Sequence, residues 1–218
     1  MNKIKISAVS YTNTKPFIYG IEQSALINEI DLNLDIPSDC ATKLINNQVD
    51  IGLIPVAAIP LVPNAQIIGK YCIGSVGAVN SVFIFSKQPM AEIQTIKLDS
   101  QSRTSNNLAK VLLQFYFKKS VIFTTDETIA TDAQILIGDR TFGKKADFAY
   151  AYDLGEEWMN FTGLPFVYAA CVANKPISEA FIQQFDSALQ LGLSQRKELL
   201  KLLPTYANFD LEDYLFQF

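Results

Sequence analysis

The sequence predicts an α/β protein divided between two lobes, on three observations. Short apolar, β-prone runs alternate with segments of helical period along the chain. Apolar residues make up 49% of the 218, enough for a substantial core in one or two domains. Two strongly β-prone runs, residues 81–86 and 166–170, bracket a long middle segment with strand and helix signals of its own. They read as two hinge strands. One lobe is then built from both chain ends, residues 1–85 with 168–218, and the other, residues 86–167, is inserted between them. Ligand would lie in a cleft between the lobes, contacted from both sides.

The first strand is predicted at residues 4–9, followed by a polar loop, Ser10-Tyr11-Thr12-Asn13-Thr14-Lys15, that ends in Pro16. Proline suits the first turn of a helix, where its missing N–H is no loss. Further strands are predicted at 32–36, 51–55, 82–85, 121–123, 135–137 and 166–172, in mainly parallel sheets. Residues 38–46 begin with a capping serine and place Ala41, Leu44 and Ile45 on one face. Residues 105–117 do the same with Leu108, Val111, Leu112 and Phe115. Two more helices are predicted over 178–193, through Phe181, Ile182, Phe185, Leu189 and Leu193, and over 196–203. The sequence carries no visible internal repeat and no low-complexity linker.

Composition removes several function classes. With 22 acidic and 18 basic residues the net charge is −4, and no Lys/Arg stripe interleaves with aromatics, which argues against nucleic acid as a partner. Residues 51–62 are the longest apolar stretch, broken by Pro55 and Pro60, too short for a membrane span. The start reads as a mature strand, so no export signal is expected. Cys40, Cys72 and Cys171 lack metal or redox spacing and read as reduced thiols in the cytoplasm. Histidine is absent, which removes Ser-His and Cys-His nucleophiles, histidine zinc sites and the commonest general base. Neither a G-x-G-x-x-G nor a P-loop string is present, so no nucleotide cofactor is expected.

The candidate site begins with the loop after the first strand. Hydroxyl, amide and ammonium groups at the carboxyl end of a strand, ahead of a helix N-terminus, make a place for a small anion. Ser102-Arg103-Thr104-Ser105, opening a second helix, offers the same donors. Both turns have a plainer reading, in which Asn13, Thr14, Ser102 and Thr104 cap their helices. Ser81 is placed at the cleft as the start of a hinge strand, and Ser75 reads as a turn or site residue. Asp50 reads as a turn residue, Asp139 as either cleft-facing or turn-stabilising at a strand end, and Trp158, Phe161 and Phe166 as packing.

Six stretches carry a family resemblance: residues 9–16, 49–56 (VDIGLIPV), 72–77 (CIGSVG) with Ser81-Val82, 98–105 (LDSQSRTS), 137–139 (IGD) and 162–167 (TGLPFV). In order, they resemble the MqnA/MqnD family of menaquinone biosynthesis, and within it the chorismate dehydratases of the futalosine route. The resemblance covers residues 4–172 and implies a two-lobed fold like the type II periplasmic binding proteins, at work in the cytoplasm. It implies elimination of water from chorismate, a dicarboxylate, to give 3-[(1-carboxyvinyl)oxy]benzoate, with no metal or cofactor. It also implies Asn13 as the catalytic residue and Ser10, Tyr11, Thr14, Ser75, Ser81, Thr104, Ser105 and Asp139 as substrate-binding residues. The proton acceptor stays unassigned, because a neutral amide is a poor base and a substrate carboxylate is an alternative. Two alternatives share the architecture: a non-catalytic solute-binding protein, and the sister enzyme 1,4-dihydroxy-6-naphthoate synthase. The sister's usual Ser-Pro-Cys-Pro-Asn-Asp-like first loop is absent here. Thr12 departs from the family's usual leucine.

Overall fold

The computed structural model describes residues 3–217. The chain opens with β1 (Ile4–Val9), a 3-10 turn (Thr12–Thr14) and α1 (Lys15–Glu22). It continues through β2 (Ile30–Asp35), α2 (Pro37–Ile45), β3 (Ile51–Pro55) and the long β4 (Gln66–Ser75). The middle of the chain holds β5 (Val82–Ser86), β6 (Thr95–Lys97), α3 (Thr104–Val111) with a π-helical turn Leu112–Tyr116, and β7 (Ile122–Thr124). Then come β8 (Ala133–Ile137), β9 (Tyr150–Asp153), α4 (Leu154–Thr162) and β10 (Phe166–Ala173). Helices α5 (Glu179–Ser194), α6 (Arg196–Leu200) and α7 (Leu211–Gln217) complete it.

These elements form two compact units. Of the described residues, the first unit takes those up to Ile73, then Val167–Thr205 and Leu211–Gln217; the second takes Gly74–Phe166 and Tyr206–Asp210. Each is organised around one five-stranded sheet, in the order β2-β1-β3-β10-β4 and β7-β6-β8-β5-β9 respectively. In the first, β1 runs parallel to β2 and β3, and β10 pairs antiparallel with β3. In the second, β6 runs parallel to β7 and β8, and β5 pairs antiparallel with β8 and β9.

The two sheets share one plan, a repeat that the sequence does not display. In both, the second strand in spatial order comes first within its unit's parallel set and leads through a turn into a helix. The turn after β1 and the turn after β6 are therefore equivalent positions, each at the carboxyl end of a parallel strand and the N-terminus of a helix.

Three expectations are corrected. The first passage between units lies at Ile73/Gly74, not at residue 85/86. The cause is that Val82–Ser86 pairs with β8 and β9, inside the second sheet. The sheets are mixed, not mainly parallel, because β5 and β10 enter them antiparallel once the chain has passed from one unit to the other. Strands β4, β6 and β9 and helices α4 and α7 were not among the predicted elements.

The first core gathers Ile6, Ile51, Leu53 and Ile54 from the sheet, Ala41 and Leu44 from α2, Phe17 and Ile21 from α1, and Phe181, Phe185 and Leu189 from α5. Each fully buried side chain of this size contributes roughly 1.5–3 kcal/mol from removal of apolar surface from water. Cys40 and Cys171 lie in this core as free thiols, and burial pushes them up to about 11 and about 12, so they serve as packing. In the second unit, Phe83 stacks on Phe85 at 5.0 Å, and Phe85 on Phe148 at 4.8 Å. Among the described residues no helix is long and apolar enough to cross a membrane.

Helix α1 is seated on α5 by backbone-to-backbone contact at two glycines. A Cβ on Gly192 would collide with the Pro16 carbonyl, and one on Gly20 with the Ala188 carbonyl. The position of α1, and of the turn that precedes it, is thus set by how closely α5 approaches. Gly192→Ala must push the helices apart, a form of overpacking that typically costs about 1–3 kcal/mol. We expect its urea midpoint to fall clearly below that of the parent, with Ala188→Gly, which adds no atoms to the contact, falling less.

Candidate functional site

In the first unit the candidate residues form one continuous turn. Ser10 is exposed at the end of β1, and its N–H donates to the Asp35 carbonyl at 2.9 Å. Tyr11 is half-buried and packs against the core, while Thr12 and Thr14 are fully buried. The Thr14 hydroxyl donates to Asn13 Oδ1 at 3.2 Å. That bond uses the carbonyl end of the Asn13 amide and leaves its Nδ2 as the donating end, which makes no hydrogen bond among the described residues. Thr14 is the N-cap of α1 but makes no side-chain cap, and Pro16 lies in the first helical turn. The Thr14 and Lys15 N–H groups donate to the Tyr11 and Thr12 carbonyls and Pro16 has none, so side chains distinguish this turn, with Lys15 half-buried among them.

In the second unit three separated segments meet at one edge of the sheet. The stretch after β6, the turn after β8 and the residues leading into β5 all lie at the carboxyl ends of β6 and β8. Ser81, buried, accepts from Gly138 N–H through its carbonyl at 2.8 Å, and its hydroxyl donates to the Val79 carbonyl at 3.3 Å. Thr104 and Ser105 are buried in the first turn of α3, and Ser105 N–H donates to Ser102 Oγ at 3.0 Å. Asp139 is half-buried in a 3-10 turn, Gly138–Thr141. Ser75 is buried at the end of β4, where its hydroxyl donates to the Gly77 carbonyl at 3.0 Å and closes a turn.

Two buried aspartates sew this edge together. Asp99, with no side-chain exposure, accepts from Gln101 N–H at 2.8 Å, from Ile137 N–H at 3.1 Å and from Arg140 Nη2 at 2.8 and 2.6 Å. Asp153 accepts from Val79 N–H at 3.0 Å, Asn80 N–H at 2.7 Å, Gly155 N–H at 2.9 Å and Glu156 N–H at 3.2 Å. It caps α4 and holds the stretch before Ser81, including Asn80 in the left-handed region at φ 55°. Burial raises the Asp153 carboxyl, against the pull of those N–H groups.

The family of proteins described as menaquinone biosynthesis matches this chain over residues 4–218. The chain belongs to that family. Among solved structures, protein AF1704 from Archaeoglobus fulgidus is similar at 16% identity and TM-score 0.70, over 99% of this chain and 81% of that one. The CA3427 gene product of Candida albicans, described as having the generic periplasmic binding protein fold, is similar at 11% and 0.65, over 98% of this chain and 79% of that one. An ABC transporter protein from Parabacteroides distasonis follows at 18% and 0.62, over 93% and 76%. At these identities the likeness is one of fold, and it places this family member among α/β proteins like the periplasmic binding proteins.

Within this family member, the capping alternative divides. Ser102 does cap, through the Ser105 N–H, whereas the Thr14 side chain does not. Asp50 is a fastening residue, accepting from Lys5 N–H at 2.9 Å and pairing with Lys175 at 2.6 Å. Trp158 packs on Phe166 and Phe161, with ring centroids 5.1 and 6.5 Å apart. Among the described residues no group of three or more His, Cys, Asp or Glu is placed to hold a metal ion. Sequence reading assigned no part to Asp99, Arg140 or Asp153. For Asp153 a signal existed, an N-cap aspartate with Glu156 and Glu157 in the first turn and Gly163 closing the helix.

Beside the first donor turn, Asp35 accepts from both the Ser7 hydroxyl and Lys43 Nζ at 2.7 Å. Burial alone would raise its carboxyl, but the hydrogen bonds from Lys43 and Ser7 outweigh burial and hold it below the usual range. Asp50 is lowered in the same way, by Lys175 and the Lys5 N–H acting against burial. Both groups are depressed on folding. Their stabilisation is present above the ordinary carboxylate value near 3.8 and is lost as pH falls through the folded values. We expect the urea midpoint to decline from about pH 5 towards about pH 2. Asp35→Asn should start lower at neutral pH and decline less steeply over that range.

Proposed function

We propose that the protein is a chorismate dehydratase, acting in the cytoplasm on the menaquinone route to which its family belongs. The observation that carries this reading is the pair of equivalent donor turns, one in each unit, each ahead of a helix N-terminus. Chorismate is a carboxylate-bearing anion, and each turn gathers amide, hydroxyl or cationic side chains of the kind that bind such groups, Asn13 and Lys15 in one and the Ser102 to Ser105 run in the other. Membership of the menaquinone biosynthesis family supports a reaction in that pathway. The absence of the sister enzyme's first-loop string favours the dehydratase over the naphthoate synthase.

In this reaction a ring carbon loses its proton and its neighbour loses hydroxide. The electron pair of the broken C–H bond enters the ring, which becomes aromatic, and the proton and hydroxide leave as water. Aromatisation makes the product strongly favoured, so the protein's task is to orient groups and stabilise developing charge. Asn13, whose Oδ1 accepts from the Thr14 hydroxyl, has its Nδ2 suited to polarise or hold the departing hydroxyl or a carboxylate. Ser10 and Tyr11 line the same turn. In the second unit, Thr104 and Ser105 would receive a carboxylate, with Ser75, Ser81 and Asp139 completing the set. An amide is too weak a base to take the ring proton, so a substrate carboxylate is assigned that part.

The test is direct. Incubated with chorismate and no added cofactor, the purified protein should give an aromatic product lighter by one water, followed by mass and ultraviolet absorbance. Binding without conversion would overturn the dehydratase reading in favour of a solute-binding role. Asn13→Ala should keep the fold and lower kcat by about 100-fold or more, whereas Ser105→Ala should chiefly raise KM. Unchanged turnover in Asn13→Ala would remove that residue from the chemistry.

A further inference from the structure

The second unit's donor turn hangs from one side chain. Asp99 carries no exposed surface, yet it sits between two segments that bear site residues: the run from Gln101 to Ser105, and the Gly138–Thr141 turn. Its carboxylate reaches both, through Gln101 N–H on one side and Ile137 N–H with Arg140 on the other. Its main chain is also gripped. Asp99 N–H donates to Asn106 Oδ1 at 3.1 Å, and Asn106 Nδ2 donates to the Asp99 carbonyl at 2.8 Å. Ser102 N–H donates to that carbonyl at 3.3 Å, and Ser102 in turn receives the Ser105 N–H. A displacement of Asp99 is therefore passed through Ser102 to the first turn of α3, which carries Thr104 and Ser105.

We infer that Asp99 is a positioning residue for this donor turn, with Arg140 as the counter-charge that permits a carboxylate to be wholly buried there. The inference rests on the proposed dehydratase reading for its kinetic consequence. The chemistry favours a carboxylate over its isostere. Three donor groups converge on two oxygens, and an ionised carboxylate accepts at every position. An asparagine would have to turn its NH2 group against an N–H or a guanidinium. It would also leave Arg140 without its neutralising partner.

Asp99→Asn, and Arg140→Lys as the milder variant, test this by steady-state kinetics on chorismate and by amide hydrogen exchange. Misplaced binding donors predict a KM raised about tenfold in Asp99→Asn and about threefold in Arg140→Lys, with kcat within about threefold. A merely structural role lowers the active fraction instead, so kcat would fall with KM unchanged, and that result overturns the inference. Should Asp99→Asn fail to fold, the KM of Arg140→Lys decides alone. Should the parent protein leave chorismate unconverted, the dehydratase reading fails by itself, and exchange at the Ser105 and Gly138 amides decides the positioning role. Faster exchange at both in the variant sustains that role, and unchanged exchange overturns it.

Discussion

The edge of the second sheet depends on buried carboxylates that accept backbone N–H groups. Strands end there, and beyond the last ladder bond the chain's N–H groups need partners that the sheet no longer supplies. Asp99 and Asp153 supply them from opposite sides, the first for the segments after β6 and β8, the second for the segment before β5 and the start of α4. A buried charge is stable only where it is paired and fully hydrogen-bonded. The same requirement makes the arrangement specific, because few other conformations of these turns would satisfy both carboxylates at once.

The first unit reaches a comparable result by other means. Its donor turn follows β1 as the Asp99 turn follows β6, but packing fixes it. Thr12 and Thr14 are buried beneath it, and α1 is set against α5 by the Gly20 and Gly192 contacts. The cluster of Ser7, Asp35 and Lys43 holds the neighbouring end of β2, whose carbonyl receives the Ser10 N–H. One topology thus carries two turns at equivalent positions, one pinned by close helix packing and the other by buried charge. The shared plan lies in strand order and left no repeat in the residues, since many side-chain sets can fill the same layers.

Much of this was legible because burial writes itself into composition. Strands β3, β5 and β10 are nearly continuous apolar runs, and the structure buries all of β3 and β5 and most of β10. Strand β6 was not legible: it has three residues, of which only Ile96 is buried. Strand β4 lies at the edge of its sheet with an irregular exposure pattern and Gly69 at φ 75°. Its extent placed the passage between units ahead of the expected point. The Ser10 to Lys15 turn stood out because polar residues cluster right after an apolar run. The Asp99 and Arg140 pair could not stand out, since its members are 41 positions apart and each resembles an ordinary surface charge until the fold joins them.

The balance of charge at the two turns bears on the kind of chemistry they suit. Two cations near them are committed, Arg140 to Asp99 and Lys43 to Asp35, while Lys15 and Arg103 stand within the turns themselves. Beside these charges the turns carry dipolar groups, the Asn13 amide and serine and threonine hydroxyls. Hydrogen bonds to a bound carboxylate lower its basicity whether they come from dipoles or from a guanidinium, so a substrate carboxylate that takes the ring proton is one that the turns leave less fully bonded. A substrate carboxylate held this way stays able to accept a proton from its own ring. In a protein without histidine, that property lets the ligand supply the base which the chain lacks.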